Sequence, residues 1–172
     1  VLNLFAYTGG ATLAAAAAGA EVAHVDAAKG MVAWARENAA LSGLSDRPIR
    51  YIVDDCLKFV KREQRRGRQY EGIIMDPPSY GRGSGGEVWK LEDSIAELVE
   101  EAAKLLSPRA KFFLLSSYTT GLSAVVTGNL LEQYVRSRLG GRIEADTLAI
   151  PVEQSRLYLP CGTTARWMRE EA

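Results

Sequence analysis

The chain opens on an apolar run, Val1-Leu2-Asn3-Leu4-Phe5-Ala6-Tyr7-Thr8, that breaks on Gly9-Gly10 and passes at once into an alanine-rich stretch. This pattern predicts a strand, a tight turn and a helix over about residues 10–18, stopped by Gly19. A second apolar run, 21–26, ends in Asp26; a third, 51–53, ends in Asp54-Asp55; a fourth, 71–75, ends in Asp76-Pro77-Pro78. Between them, helices are expected over 29–41, with Met31, Trp34, Ala35, Ala39 and Leu41 near one stripe, and over 57–64. Residues 91–106 repeat apolar side chains at helical spacing until Ser107-Pro108, and 111–116 read as a fifth strand. Leu122, Val125, Val126, Leu130, Tyr134 and Val135 predict a helix over 122–139, ended by Gly140-Gly141. Two last strands follow, over 142–150 and 156–159, the second resuming near Ala165. Residues 77–90 carry Gly81, Gly83, Gly85 and Gly86 and no periodicity, which predicts a mobile lid or binding loop.

Alternation of strands and helices through five strands demands an α/β fold with a parallel sheet and helices on both faces. The terminal strand pair, with no helix between, demands one antiparallel strand. In such a sheet the crevice beyond the carboxyl end of the first strand receives a nucleotide-like cofactor, because glycines let the backbone approach and the next helix offers unpaired N–H groups. The turn lacks the G-x-G-x-x-G spacing of dinucleotide sites, which disfavours a nucleotide-binding oxidoreductase. Asp26 follows at the distance of a ribose-binding acid and is placed to accept from two hydroxyls. Taken singly, each acid after a strand also reads as a helix cap.

Asn3-Leu4-Phe5-Ala6-Tyr7-Thr8-Gly9-Gly10, Val25-Asp26, Val53-Asp54-Asp55, Asp76-Pro77-Pro78-Ser79-Tyr80-Gly81, Leu159-Pro160-Cys161-Gly162 and Ala165-Arg166-Trp167 together resemble the class I S-adenosylmethionine-dependent methyltransferases. The likeness is nearest to the branch that modifies bases of large-subunit ribosomal RNA. It implies a Rossmann-like, seven-stranded sheet in the order 3-2-1-4-5-7-6 and S-adenosylmethionine as cofactor. By the same resemblance Phe5, Ala6, Tyr7, Thr8, Gly9 and Gly10 cradle the cofactor's carboxylate end, Asp26 its ribose, Asp55 its adenine amine, and Asp76 borders it. Catalysis falls to Asp76, Pro77, Pro78 and Tyr80, and substrate contact to Ser79, Tyr80, Arg82 and Lys90. In amine-methylating relatives an aromatic residue directly follows the second proline; here Ser79 intervenes before Tyr80. Methylation of a protein side chain or a small molecule, and an inactive cofactor-binding module, are the competing readings.

Length and composition suit one catalytic domain over 1–172, with 47% hydrophobic residues to build its core. No apolar run approaches the roughly 20 residues of a membrane helix, and nothing reads as a signal peptide. Two cysteines make no disulfide framework, so a soluble cytoplasmic protein is expected. No spacing of metal ligands is visible. Twenty-one basic residues balance twenty-one acidic ones, an unusual balance for an RNA enzyme, whose affinity comes largely from phosphate contacts. The start on a core strand points to the catalytic part of a longer protein, with an RNA-binding portion ahead of it. Six basic residues, Lys58, Lys61, Arg62, Arg65, Arg66 and Arg68, could track phosphates or simply form a solvated helix face.

The acceptor chemistry turns on thiols. Methylation at cytosine C5 needs a thiolate that first adds to C6, and the cytosine-modifying relatives keep that cysteine after the fifth strand, where Ser116-Ser117-Tyr118 stands. Cys56 and Cys161 read as small core residues. His24, inside a strand, reads as a structural histidine. A ring or exocyclic nitrogen is therefore the expected acceptor.

Overall fold

The computed structural model describes residues 1–82 and 88–170. Its elements are β1 (Leu2–Leu4), α1 (Gly10–Ala17), β2 (Val22–Asp26), α2 (Lys29–Leu41), β3 (Ile49–Val53), α3 (Cys56–Arg65) and β4 (Gly72–Met75). Then come β5 (Tyr80–Arg82), β6 (Val88–Lys90), α4 (Leu91–Ala103), β7 (Phe112–Ser117) and α5 (Ala124–Leu131), continued by a π-helical stretch (Glu132–Arg136) and α6 (Ser137–Leu139). Strands β8 (Arg142–Pro151) and β9 (Tyr158–Met168) close the chain. Seven strands form one sheet in the order β3-β2-β1-β4-β7-β9-β8. The pairs β1–β2, β1–β4 and β2–β3 are parallel, and β9 runs antiparallel to both neighbours. This is the expected Rossmann-like α/β order. No described helix is long and apolar enough to cross a membrane.

The chain divides into two compact units, Val1–Asp76 with Glu101–Ala110, and Pro77–Glu100 with Lys111–Ala172. In the first, Leu2, Leu4, Val25, Ile73 and Met75 of the central strands are wholly buried. Helix α2 turns Val32, Ala35 and Ala39 inward. Trp34, read above as part of the inner stripe, is 49% exposed, and Leu41 is also exposed. The helix packs tightly through alanines, so a tryptophan one position away, about 100° round the helix, faces water. Helix α3 forms because Asp55 caps its start, accepting from the Lys58 amide at 2.9 Å, while Cys56, Phe59 and Val60 point into the core. Arg62 and Arg65 end it, where cations oppose the helix dipole.

In the second unit, β7 alternates buried and half-buried side chains, with Phe113, Leu115 and Ser117 inside. Trp167 of β9 is fully buried, and its indole donates to the Gly140 carbonyl at 2.6 Å. The helix expected over 122–139 starts at Ala124 behind the Ser123 cap and turns Thr127, Leu131 and Val135 inward. Val125 and Val126, part of the apolar spacing that predicted it, are exposed. Residues 77–90 are not one structureless loop: Tyr80↔Lys90, Gly81↔Trp89 and Arg82↔Val88 pair as an antiparallel ribbon. Gly83, Gly85, Gly86 and Glu87, the heart of the expected lid, lie outside the described residues, as does the side chain of Arg82.

The final strand also departs from expectation, running unbroken through Pro160 and Gly162. Pairing passes from Leu148↔Gly162 to Ala149↔Pro160, so Cys161 is the extra residue of a bulge that absorbs the irregularity. It is exposed, contrary to its reading as a core residue. Gly162 (φ 147°) allows β9 to pass close to β7: a Cβ there would fall 2.6 Å from the Ser117 carbonyl oxygen. Gly162→Ala is expected to destabilise the protein by about 1–3 kcal/mol through that clash, measured by urea denaturation; an unchanged midpoint would show that β9 shifts freely.

Candidate functional site

Three residues of the turn between β1 and α1 lie in the left-handed region: Phe5 (φ 55°), Tyr7 (φ 48°) and Gly9 (φ 92°). For a non-glycine residue such a conformation costs on the order of 1–3 kcal/mol, so two of them in one turn mark a backbone held there by its surroundings. The Phe5 amide donates to Cys56 Sγ at 3.3 Å, Ala6 N to the Val25 carbonyl at 3.0 Å, and Tyr7 N to Asp26 Oδ2 at 2.8 Å. Asn38 Nδ2 donates to the Thr8 carbonyl at 2.9 Å. A Cβ on Gly9 would lie 3.1 Å from Ala35 Cβ, which explains both the glycine and the alanine facing it.

Asp26 ties this turn to the next helix. Its second oxygen, Oδ1, accepts from the Ala28 amide at 2.8 Å, just ahead of α2. Each carboxylate oxygen still has a lone pair, the capacity that two ribose hydroxyls require. The amides of Phe5, Ala6, Tyr7 and Gly9 are committed within the protein. Those of Thr8 and Gly10 have no hydrogen-bond partner among the described residues, and they face the start of a helix, where anionic groups are stabilised. This donor and acceptor set fits an amino-acid carboxylate and a ribose. A wide hollow at the opposite, amino ends of the strands, lined by Val22, Ile49, Arg50, Arg68 and Tyr70, is at the wrong end of an open sheet for such a cofactor.

Beneath the turn lies a buried polar chain. Asn3 Nδ2 donates to Thr12 Oγ1 at 2.9 Å, and Thr12 Oγ1 meets His24 Nδ1 at 2.9 Å. All three residues are buried, and His24 Nε2 has no hydrogen-bond partner among the described residues. Burial pushes the His24 pKa down to about 4, with the Asp26 charge opposing. The histidine is structural, as expected, and Asn3 and Thr12 join it as supports of the turn. A polar residue in an otherwise apolar core strand was the available sign of this.

At the end of β3, Asp55 caps α3 and Asp54 pairs with Arg62 at 2.5 Å. Cys56 is 3% exposed, and burial pushes its thiol pKa far up. At the end of β4, the exposed Asp76 stands where the surrounding protein strips water from its carboxylate and raises its pKa above the ordinary aspartate value.

The residues after Asp76 open the second unit and are pinned from three sides. Trp89 Nε1 donates to the Pro78 carbonyl at 3.0 Å, the Leu91 amide to the Ser79 carbonyl at 3.1 Å, and Thr119 Oγ1 to Ser79 Oγ at 2.7 Å. Ser79 is thus engaged by the scaffold, while Tyr80 is exposed and Lys90 stands opposite it in the ribbon. The Ser117 hydroxyl, in the Ser116-Ser117-Tyr118 stretch at the end of β7, accepts from the Thr119 amide at 3.1 Å. Trp89 and Thr119 were missed as loop supports because their bonds cross from other elements. Among the described residues no cluster of three or more potential metal ligands occurs.

Residues 1–136 match the family model of S-adenosylmethionine-dependent methyltransferases, and the chain belongs to that family. S-adenosylmethionine is accordingly its cofactor. Ribosomal RNA large subunit methyltransferase K/L of Shewanella frigidimarina is 40% identical over 113 residues, 64% of this chain and 16% of that protein. Its namesake in Shewanella baltica strain OS155 is 36% identical over 115 residues, 63% of this chain and 15% of that protein. The chain therefore spans about a sixth of the length of these curated relatives. The crystal structure of a SAM-dependent methyltransferase from Agrobacterium tumefaciens matches with a TM-score of 0.91 at 41% identity, covering 98% of this chain and 55% of that one.

Asp26→Ala is expected to weaken S-adenosylmethionine binding by about 1.5–3 kcal/mol, the range for a lost hydrogen bond to a charged group. Calorimetry measures it, and unchanged affinity would remove Asp26 from the site. His24 yields a pH dependence. Its folded pKa lies below the unfolded value, so the unfolded chain binds the proton first and stability falls as pH drops from about 6.5 towards 4. Between pH 7.5 and 4.5 the loss from this residue is on the order of 2–3 kcal/mol. Urea denaturation at the two pH values should show a smaller difference in His24→Asn; an identical difference would show that another group carries the slope.

Proposed function

We propose that this chain methylates a nitrogen of an RNA base, in large-subunit ribosomal RNA. Bound S-adenosylmethionine supplies a methyl group already activated on a sulfonium, so the protein's work is to orient the acceptor and exclude water. Asp26, with the Thr8 and Gly10 amides, holds the cofactor's polar groups. Asp76 and the Pro77 carbonyl are left to grip an acceptor N–H, because the Pro78 and Ser79 carbonyls already have donors. Asp76, when ionised, accepts the proton that the nitrogen sheds, and its raised pKa makes it a better base than an ordinary aspartate. Tyr80 offers its ring to the base, and Arg82 and Lys90 offer charge to the phosphates.

The observation that carries the nitrogen reading is the state of the thiols. Cys56 is buried, and its high pKa keeps it a thiol. Cys161 is spent on the bulge, with its thiol donating to the Leu148 carbonyl at 3.4 Å. The names of the Shewanella relatives support RNA as substrate. Part of the basic segment is neutralised locally, Arg62 by Asp54 and Arg66 by Glu63.

The test is methyl transfer from tritiated donor to large-subunit ribosomal RNA from cells lacking the enzyme. Asp76→Asn should lower turnover by about 10²-fold or more, whereas Cys56→Ala and Cys161→Ala stay active. The wild-type rate should fall as pH drops through a pKa above the usual aspartate range, since only ionised Asp76 works. Trapping on 5-fluorocytosine RNA that either cysteine change abolishes would overturn the nitrogen reading. Absence of label in ribosomal RNA would overturn the substrate.

A further inference from the structure

Two exposed tyrosines of the second unit stand at the ends of different elements: Tyr80, 54% exposed, opens β5, and Tyr118, 59% exposed, directly follows β7. One exposed tyrosine needs no explanation. These two are coupled through their chain neighbours, because Thr119 Oγ1 donates to Ser79 Oγ at 2.7 Å. Both ends of that strut are fixed. The Thr119 amide donates to Ser117 Oγ at 3.1 Å, and Thr119 is 8% exposed. The backbone of Ser117 and Tyr118 lies against Gly162, where a Cβ would fall 2.6 Å from the Ser117 oxygen and 3.4 Å from Tyr118 Cα. On the other side, Ser79 gives its carbonyl to the Leu91 amide at 3.1 Å. With consecutive Cα atoms about 3.8 Å apart and one hydrogen bond between the side chains, the two tyrosine Cα atoms lie within roughly 15 Å. Two tyrosine rings with one planar ring between them span such a distance.

Aromatic side chains on a rigid support are what unstacked bases of single-stranded RNA bind, each ring face replacing a lost neighbour in the stack. We infer that Tyr118 and Tyr80 form a two-ring clamp for a nucleobase beside Pro77-Pro78, its spacing set by the Thr119–Ser79 hydrogen bond. This rests on the RNA reading above and adds Tyr118 as a binding residue and Thr119 as a positioning residue. The clamp grips a flat heteroaromatic ring by its faces. The edge of that ring stays open to the Pro77 carbonyl.

The test measures affinity for in-vitro-transcribed large-subunit ribosomal RNA by filter binding at fixed salt, with S-adenosylmethionine affinity and thermal midpoint as independent checks on folding. Tyr118→Ala should weaken RNA binding about ten- to a hundredfold, as loss of one base-stacking aromatic does, while Tyr118→Phe stays within about twofold of wild type because the ring remains. The double change Tyr80→Ala/Tyr118→Ala should weaken binding by less than the product of the single effects, since both rings hold one base. Thr119→Val, which removes only the hydroxyl, should raise the KM for RNA, and Thr119→Ser should restore it. The clamp fails if Tyr118→Ala binds as tightly as wild type, or if Tyr118→Phe loses as much as Tyr118→Ala; the RNA reading survives both results. Wild-type protein that neither binds nor methylates the RNA removes the substrate, and the nucleobase of the clamp with it.

Discussion

Two backbone amides converge on one carboxylate: Tyr7 N and Ala28 N both donate to Asp26, one to each oxygen, at 2.8 Å. The first unit's chemistry depends on this. Tyr7 adopts a left-handed conformation that a bulky residue avoids, and its bond to Asp26 helps to hold it there. The same bond fixes the carboxylate's direction, so the turn and Asp26 define each other. Gly9 wedged against Ala35, and the Asn3–Thr12–His24 chain below, set this arrangement on a support that cannot easily relax. Buried and hydrogen-bonded polar groups of this kind hold one geometry at the cost of sensitivity to protonation, which explains a structural histidine so close to a binding turn.

A different logic governs the second unit. The Pro77-Pro78-Ser79 segment has few internal hydrogen bonds, because two of its residues lack an N–H. It is held from outside instead, by an indole, a backbone amide and a hydroxyl from three other segments. Each bond uses up a group that could otherwise have met a substrate. Ser79 gives its hydroxyl to one of these three bonds, while Tyr80, one residue on, is exposed.

The balance of charges bears on the RNA reading proposed above. A chain with equal numbers of acids and bases gains little from long-range attraction to phosphate, so affinity has to come from local contacts. Stacking on exposed aromatic rings is one such contact, and it depends little on salt compared with phosphate neutralisation.

The order of strands and helices was legible in the chain because periodicity and the residues at strand ends are local signals: Asp26 closes β2, Asp54-Asp55 follow β3 and Asp76 follows β4. Burial was less so. Trp34, Val125 and Cys161 were misplaced because helical face and strand bulge depend on partners that periodicity does not show, alanine packing at Ala35 in one case and the register slip opposite Leu148 in another. Asp55 illustrates the remaining ambiguity, since its cap on α3 is a local role that any aspartate after a strand can take. The sequence by itself determined the α/β class, the glycine turn after β1 and the Asp76-Pro77-Pro78 segment, all written in contiguous residues. Only the tertiary structure decided that Cys56 is sealed in the core and that Ser79 is bound by Thr119. Those facts rest on contacts between residues 40 or more positions apart, such as the Thr119–Ser79 and Phe5–Cys56 bonds, and no pattern along the chain encodes which distant group will complete a hydrogen bond.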